Sequence, residues 1–341
     1  MRFRLPHTIK LFLNFLSLLL FSFLILKCEL IIYGLGQLKG QLKTIYYTQP
    51  IEEALESSSY TLEEKEKLTL VQKVKSFAEE ELDFRKTKNF QQVCNQNKSG
   101  KLWVLEACEL FSFKEYTWNF PIVGEVTYKG YFDRNKINNE AQRLRKKGYD
   151  SEVSQVSAWS TLGILSDPIL SENLKLKPYA LINLIFHELF HSTFYESSKV
   201  ELNENLANFM AHKATLLFLA KDSISLQFYK RRMKDDSLFK SEVLKQKALL
   251  DNFYQTLHPS DTLENLKKRQ KIFNQSINRI FNNPYNDRKR IEKICSAIYE
   301  SGNCFFTGVQ KYDGLQDSLD KVLKNRFKND LKAMVRYFKS S

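Results

Sequence analysis

The chain has 341 residues, 43% of them hydrophobic and 27% charged, with only 11 glycines and 7 prolines. That composition excludes a disordered or low-complexity chain and allows one large core or two that pack closely. The net charge of +13 is uneven, with 25 Lys and Arg against 14 Asp and Glu in residues 221–341; no nucleic-acid-binding motif accompanies that excess, so solvated helix faces explain it better than a nucleic-acid partner.

The first predicted element is an export signal or membrane anchor over residues 1–27. Arg2, Arg4 and Lys10 precede an apolar run from Leu11 to Leu26, broken only by Asn14, Ser17 and Ser22. A basic flank followed by an apolar stretch is the layout of such a segment. The run is slightly short of the roughly 20 residues that span a bilayer squarely. Cys28 follows at once and could accept a lipid, although Lys27 stands where a small residue is usual. Cleavage with lipidation and an uncleaved anchor both stay open. The positive flank predicts a cytoplasmic N-terminus and an exported body. Four further cysteines, Cys94, Cys108, Cys295 and Cys304, allow three pairings, of which the local pairs Cys94–Cys108 and Cys295–Cys304 are the simplest expectation. No CxxC motif is present, which argues against a cysteine zinc site.

The exported part, residues 28–341, divides by composition into a core, 28–220, and a basic helical part, 221–341. Helical signals dominate it. Thr61 to Phe84 is charged and periodic, with Leu68, Leu70, Val71 and Val74 forming an apolar stripe. Gly100 to Val104 and Ile122 to Phe132 read as short extended segments. Lys136 to Lys147 reads as a polar helix stopped by Gly148. Val153 to Leu165 reads as a strand at a sheet edge, and Asp167-Pro168 as a turn. Pro178 suits the first turn of a helix running to about Tyr195. Leu202 to Ala220 is a second apolar helix, and long charged helices follow, with a break at Asn282-Asn283-Pro284. The predicted fold class is α+β, mostly α, with a small sheet.

The chemistry sits in His187-Glu188-Leu189-Phe190-His191, an HExxH motif. Residues i and i+4 of a helix share one face, so both imidazoles can reach one ion. Glu188 lies about 100° around the axis, beside the ion, where it can take a proton from a water that the metal activates. The flanking residues Leu181, Ile182, Leu184, Ile185, Phe186, Leu189 and Phe190 make this helix apolar nearly all round and therefore buried. A buried His-Glu-His set is costly without a partner, and one Zn2+ would supply it. A catalytic zinc usually takes a third protein ligand. Glu204, at the start of the next helix, is the first choice; Glu196, Glu201 and His212 are rivals. Ala207, one turn on, is small enough to let the two helices approach closely.

These blocks resemble a bacterial predicted aminopeptidase family of envelope proteins, zincin-type metallopeptidases with Glu as third ligand. The similarity runs from Cys28 onward. It is carried by Tyr33 and Gly40-Gln41-Leu42, by Phe120-Pro121-Ile122-Val123-Gly124, and by Tyr128-Lys129-Gly130-Tyr131-Phe132. Gly148-Tyr149-Asp150, Ser160-Thr161-Leu162-Gly163 and Asp167-Pro168-Ile169-Leu170 continue it, and Phe186-His187-Glu188-Leu189, His191 and Asn203-Glu204 complete it. The family often has cysteines at the positions of Asn119 and Glu125, which fits the joint loss of one disulfide here. The resemblance implies a zincin-like fold with an HExxH active-site helix and a helical C-terminal part. It implies zinc on His187, His191 and Glu204, Glu188 as general base, and a peptide substrate. Tyr128 and Tyr131 are candidates to donate to the oxyanion. Ser160, Thr161 and Gly163 could pair with an extended substrate. The resemblance also implies a bacterial cell-envelope location, membrane-attached, with the catalytic part periplasmic or exterior. An aminopeptidase needs an acid to hold the substrate ammonium, and Asp167 or Glu201 could serve. A zinc hydrolase of a non-peptide envelope amide shares every motif, and a non-catalytic envelope binding protein is a third possibility.

Overall fold

A computed structural model describes residues 32–120, 124–156, 166–197, 199–258 and 262–340. The segment 1–27, Cys28 and the candidate substrate residues Ser160, Thr161 and Gly163 lie outside the described residues. Among those described, no helix is long and apolar enough to cross a membrane.

A first helix, α1, covers residues 32–46. β1 (Thr48–Pro50) and the short helix α2 (Ile51–Glu56) lead into α3 (Leu62–Ser76). Thr61 starts α3 with a reciprocal cap: its hydroxyl accepts from the Glu64 amide at 3.2 Å, and the Glu64 carboxylate accepts from the Thr61 amide at 2.8 Å. The apolar stripe read from the sequence is buried at Leu68, Val71 and Val74. The helix then loosens into a π turn, Phe77–Glu81, rather than running on to Phe84.

The extended segments form three small sheets. β1 pairs antiparallel with β2 (Gln92–Cys94), and β2 pairs parallel with β8 (Ile169–Leu170). β3 (Trp103–Glu109) lies between β6 (Tyr128–Tyr131) and β7 (Tyr149–Gln155), antiparallel to both. β4 (Trp118–Phe120) and β5 (Gly124–Val126) form a hairpin that places Asn119 directly opposite Glu125. A cysteine pair at those positions would face each other across the two strands. α4 (Gln96–Ser99) is a single turn, and α5 (Arg134–Lys146) packs on the β3 sheet. Gly148, at φ +83°, provides the turn from α5 into β7 that an L side chain resists.

Two long helices form the centre of the molecule. α6 (Pro178–Thr193) opens on Pro178, whose fixed φ and missing N–H suit a first turn. α7 (Val200–Phe218) returns beside it. Leu181, Ile182, Ile185, Phe186, Leu189 and Phe190 of α6 meet Leu206, Ala207, Phe209 and Met210 of α7 in the largest apolar cluster, with α3 on a third side. α8 (Ser223–Gln255), α9 (Thr262–Phe281), α10 (Arg288–Ser301) and α11 (Asn303–Asp313) build a second cluster. α12 (Gln316–Phe327) and α13 (Leu331–Lys339) then return to the first, where Leu319, Leu323, Met334 and Val335 are buried. Residues 221–341 thus contribute to both clusters.

The four described cysteines are free thiols, and their neighbours are not those expected from proximity in sequence. Cys304 on α11 faces Cys108 on β3, with Sγ atoms 3.5 Å apart. Cys94 lies in another sheet, beside Thr44 and Ser99, and Cys295 points into the second apolar cluster. The local pairs Cys94–Cys108 and Cys295–Cys304 are overturned because α11 docks against β3 and carries Cys304 away from Cys295.

Candidate metal centre and active site

α6 places His187 and His191 one turn apart, with ring centroids 4.7 Å from each other. Glu204 enters from the first turns of α7. Its two carboxylate oxygens lie 3.4 Å from His187 Nε2 and 3.5 Å from His191 Nε2. The two Nε2 atoms are 3.1 Å apart. These side chains are 14–21% exposed, so the donors converge where they are partly shielded from water.

The donor set fits a small divalent cation. Zinc binds nitrogen and oxygen at about 2.0–2.1 Å in a tetrahedral shell, whose edges are then about 3.3–3.4 Å. The three separations above lie close to that edge length. Two imidazole nitrogens and one carboxylate are also the donor types that zinc takes. Among the described residues, His187, His191 and Glu204 are the one group so arranged.

Sequence proximity made Glu196, Glu201 and His212 rivals of Glu204; the fold places them elsewhere. Glu196 pairs with Lys199 at 2.6 Å. Glu201 is exposed. His212 is half-buried rather than on the helix surface, with Nδ1 2.6 Å from the Tyr229 hydroxyl. The loop between α6 and α7 is shaped by Asn203, which accepts from the Glu196 amide at 2.9 Å and donates to the Glu196 carbonyl at 2.8 Å. That clamp lets the chain reverse in six residues and bring Glu204 back to the histidines. Ala207 is fully buried where the helices meet.

The electrostatics divide the two carboxylates. Burial pushes Glu204 up, but its hydrogen bonds to His187 and His191 outweigh this and hold it down at about 2, so it stays an anion. Glu188 is pushed above its ordinary range, first by burial and further by Glu204 and Asp167, with the two histidines pulling the other way. Burial disfavours the charged form of His187; its contacts with Glu204, Glu188 and Asn208 outweigh that and raise its pKa. One acid is thus a fixed charge, and the other holds its proton more tightly than an ordinary carboxyl.

Several residues near this site carried no sequence signal of their own. Asn208 hydrogen-bonds to His187; it stands one turn after Glu204, and that i+4 spacing was the available clue. Tyr195, 59% exposed, packs its ring edge-on to His191 at 6.4 Å. Asn89 donates to both Asp167 Oδ2, at 3.3 Å, and Ser192 Oγ, at 3.0 Å. Ser192 is one turn beyond Glu188, so Asp167 is held on the Glu188 side of α6. His191 Nδ1 is buried and finds no partner among the described residues. Tyr128 and Tyr131 belong to the β6 sheet. Tyr131 is buried against Tyr33, ring centroids 5.5 Å apart, and Tyr128 is 56% exposed.

The fold and site define a mostly helical α+β protein with small sheets and an HExxH helix, whose histidines converge with a glutamate from the following helix. Residues 33–340 match the family model described as Putative aminopeptidase, and the chain belongs to that family. No curated protein and no solved structure matches it. Membership points to a peptidase acting on peptide substrates.

Proposed function

We propose that this protein is a zinc-dependent peptidase of zincin-like fold that removes N-terminal residues. The observation that carries the reading is the convergence of His187, His191 and Glu204 donors at 3.1–3.5 Å. When bound there, a zinc ion would supply Lewis acidity to a peptide carbonyl and acidity to a water. Glu188 does the proton work. Its carboxyl is raised by burial and lies off the ligand face, so it can take a proton from the attacking water and pass it to the leaving nitrogen. Glu204 stays charged and offsets the cation. Asp167, held by Asn89, is the proposed partner of the substrate ammonium.

The oxyanion roles of Tyr128 and Tyr131 and the substrate contacts of Ser160, Thr161 and Gly163 are part of the same proposal. So is a cell-envelope location, with residues 1–27 or a lipid on Cys28 as the membrane attachment.

The test is elemental analysis of the purified chain together with a library of peptides with free and blocked N-termini. We expect one zinc per chain and cleavage of free N-termini only. Glu188→Gln should keep the zinc and lose at least about 100-fold in turnover, the scale of general-base catalysis. Glu204→Ala should lose the zinc. Full turnover by Glu188→Gln would remove Glu188 from its role, and full zinc content in Glu204→Ala would place the third ligand elsewhere.

A further inference from the structure

Helix α1 is amphipathic in the reverse sense. A surface helix ordinarily turns its apolar stripe to the core and its polar face to water. Here the face on the protein body is polar and small: Tyr33, Gln37, Gly40, Gln41 and Thr44. The Tyr33 hydroxyl and Gln37 Nε2 both donate to the Gly130 carbonyl, at 2.9 and 2.8 Å. Gly40 meets the Phe132 ring so closely that a Cβ would collide with it. The opposite face presents Ile32, Leu35, Leu38, Leu42, Ile45 and Tyr46, all 45–79% exposed. At about 100° per residue these six fall within roughly 140° of the circumference, almost diametrically opposite the docked face. Lys39 and Lys43, both exposed, lie at one edge of that stripe, Lys39 just inside it and Lys43 just beyond.

A continuous apolar stripe left in water is costly and marks a surface with a partner. Chain geometry says which. The apolar run Leu11–Leu26 ends five residues before the first described residue of α1. Six peptide steps reach at most about 20 Å, at 3.3–3.6 Å each. If that run is held in a bilayer, α1 cannot leave the bilayer surface. Its apolar face then has lipid acyl chains to enter, and Lys39 and Lys43 sit at the depth of anionic headgroups.

We propose that α1 is an interfacial helix. It would lie in the plane of the membrane on its Ile32–Tyr46 apolar face while its polar face docks the β3 sheet, fixing the orientation of the body to the lipid. This extends the membrane attachment proposed above and rests on it. The partner is a lipid surface containing anionic headgroups.

The experiment uses the full chain with Leu38→Trp, reconstituted in vesicles of equal parts phosphatidylcholine and phosphatidylglycerol. A companion variant, Leu263→Trp, serves as control, because Leu263 on α9 is an exposed leucine far along the chain. Emission is read as the difference from the parent chain. The added signal of Leu38→Trp should shift to the blue and be quenched when the acyl chains are brominated close to the headgroup; that of Leu263→Trp should do neither. Adding Leu35→Glu and Leu42→Glu to the Leu38→Trp chain should abolish the quenching without loss of helicity or of zinc. Failure of the parent chain to float with vesicles would overturn both the attachment and this proposal. Flotation of the Leu38→Trp chain with its added emission unquenched would overturn this proposal alone. So would emission that is blue-shifted but unquenched, which would mean that protein, including a second copy of the chain, covers the stripe.

Discussion

Glu204 and Glu188 are both carboxylates beside the same two histidines, yet their surroundings drive them to opposite behaviour. Glu204 receives both imidazoles and is held down at about 2; Glu188 is enclosed and pushed up. In the proposed mechanism that separation lets one acid bind the metal and the other shuttle a proton. Asn208 belongs to this balance through its contact with His187. Partners of metal ligands set ring orientation, and their loss typically costs 10–100-fold in metal affinity. Asn208→Ala should therefore weaken zinc binding by about that factor, measured by competition with a chelator, while leaving the fold's stability in the presence of zinc little changed. The HExxH spacing made His187, His191 and Glu188 legible from the sequence, because i and i+4 are determined within one helix. Asn208 was not, since its proximity arises from the packing of α7 on α6; Asp167 was named as a possible holder of the ammonium, but its place beside Glu188 arises from the packing of the Asn89 loop.

At the level of elements, the α6–α7 pair positions the site. Ala207 is buried where the two helices meet. Ala207→Leu should overpack that contact and cost about 1–3 kcal/mol. Denaturant midpoints should fall, and zinc affinity with them, because Glu204 moves with α7. The β3 sheet has its own pH response. Glu106 and Glu152 are direct partners across β3 and β7. Burial, and then the neighbouring Glu106, push Glu152 up to about 7. A raised carboxyl holds its proton in the folded state when the unfolded chain has released it. Stability is thus fully present below the unfolded value near 4.5 and declines as pH rises toward about 7. Glu152→Gln should remove that decline, so urea midpoints at about pH 5 and pH 8 should differ in the parent and converge in the variant. The sequence placed most of these elements correctly: α5 ends beside Gly148, and α6 opens on Pro178. It overran at Thr61–Phe84, because hydrophobic periodicity alone does not distinguish an α-helix from the π turn that follows Ser76.

Across the whole molecule, the α8–α11 cluster is joined to the β3 sheet by polar contacts around Asn303. Its amide N–H donates to Asp150 at 2.7 Å, and its side chain donates to the carbonyls of Glu109, Leu110 and Ser112, each at 3.1 Å. It accepts from the Tyr254 hydroxyl at 2.8 Å. Arg269 and Asp150 pair beside it. Asn303→Ala would strand several buried groups at about 1–3 kcal/mol each. We expect it to lower the thermal midpoint and to broaden the transition as the α8–α11 cluster uncouples, which calorimetry would detect as a calorimetric enthalpy exceeding the van't Hoff value.

By itself the sequence determined the helical character of the chain, the face of α6 that carries both histidines and the kind of acid expected beside them. Those follow from spacing within single helices, where geometry is local and repeats every turn. The sequence put Glu204 first among four candidates, and the tertiary structure placed Glu196, Glu201 and His212 away from the histidines. The tertiary structure alone set Cys304 beside Cys108, and it alone turned the apolar stripe of α1 outward. Each of these depends on which face of one element docks on another, and that choice is made by the sum of many contacts distant in the chain.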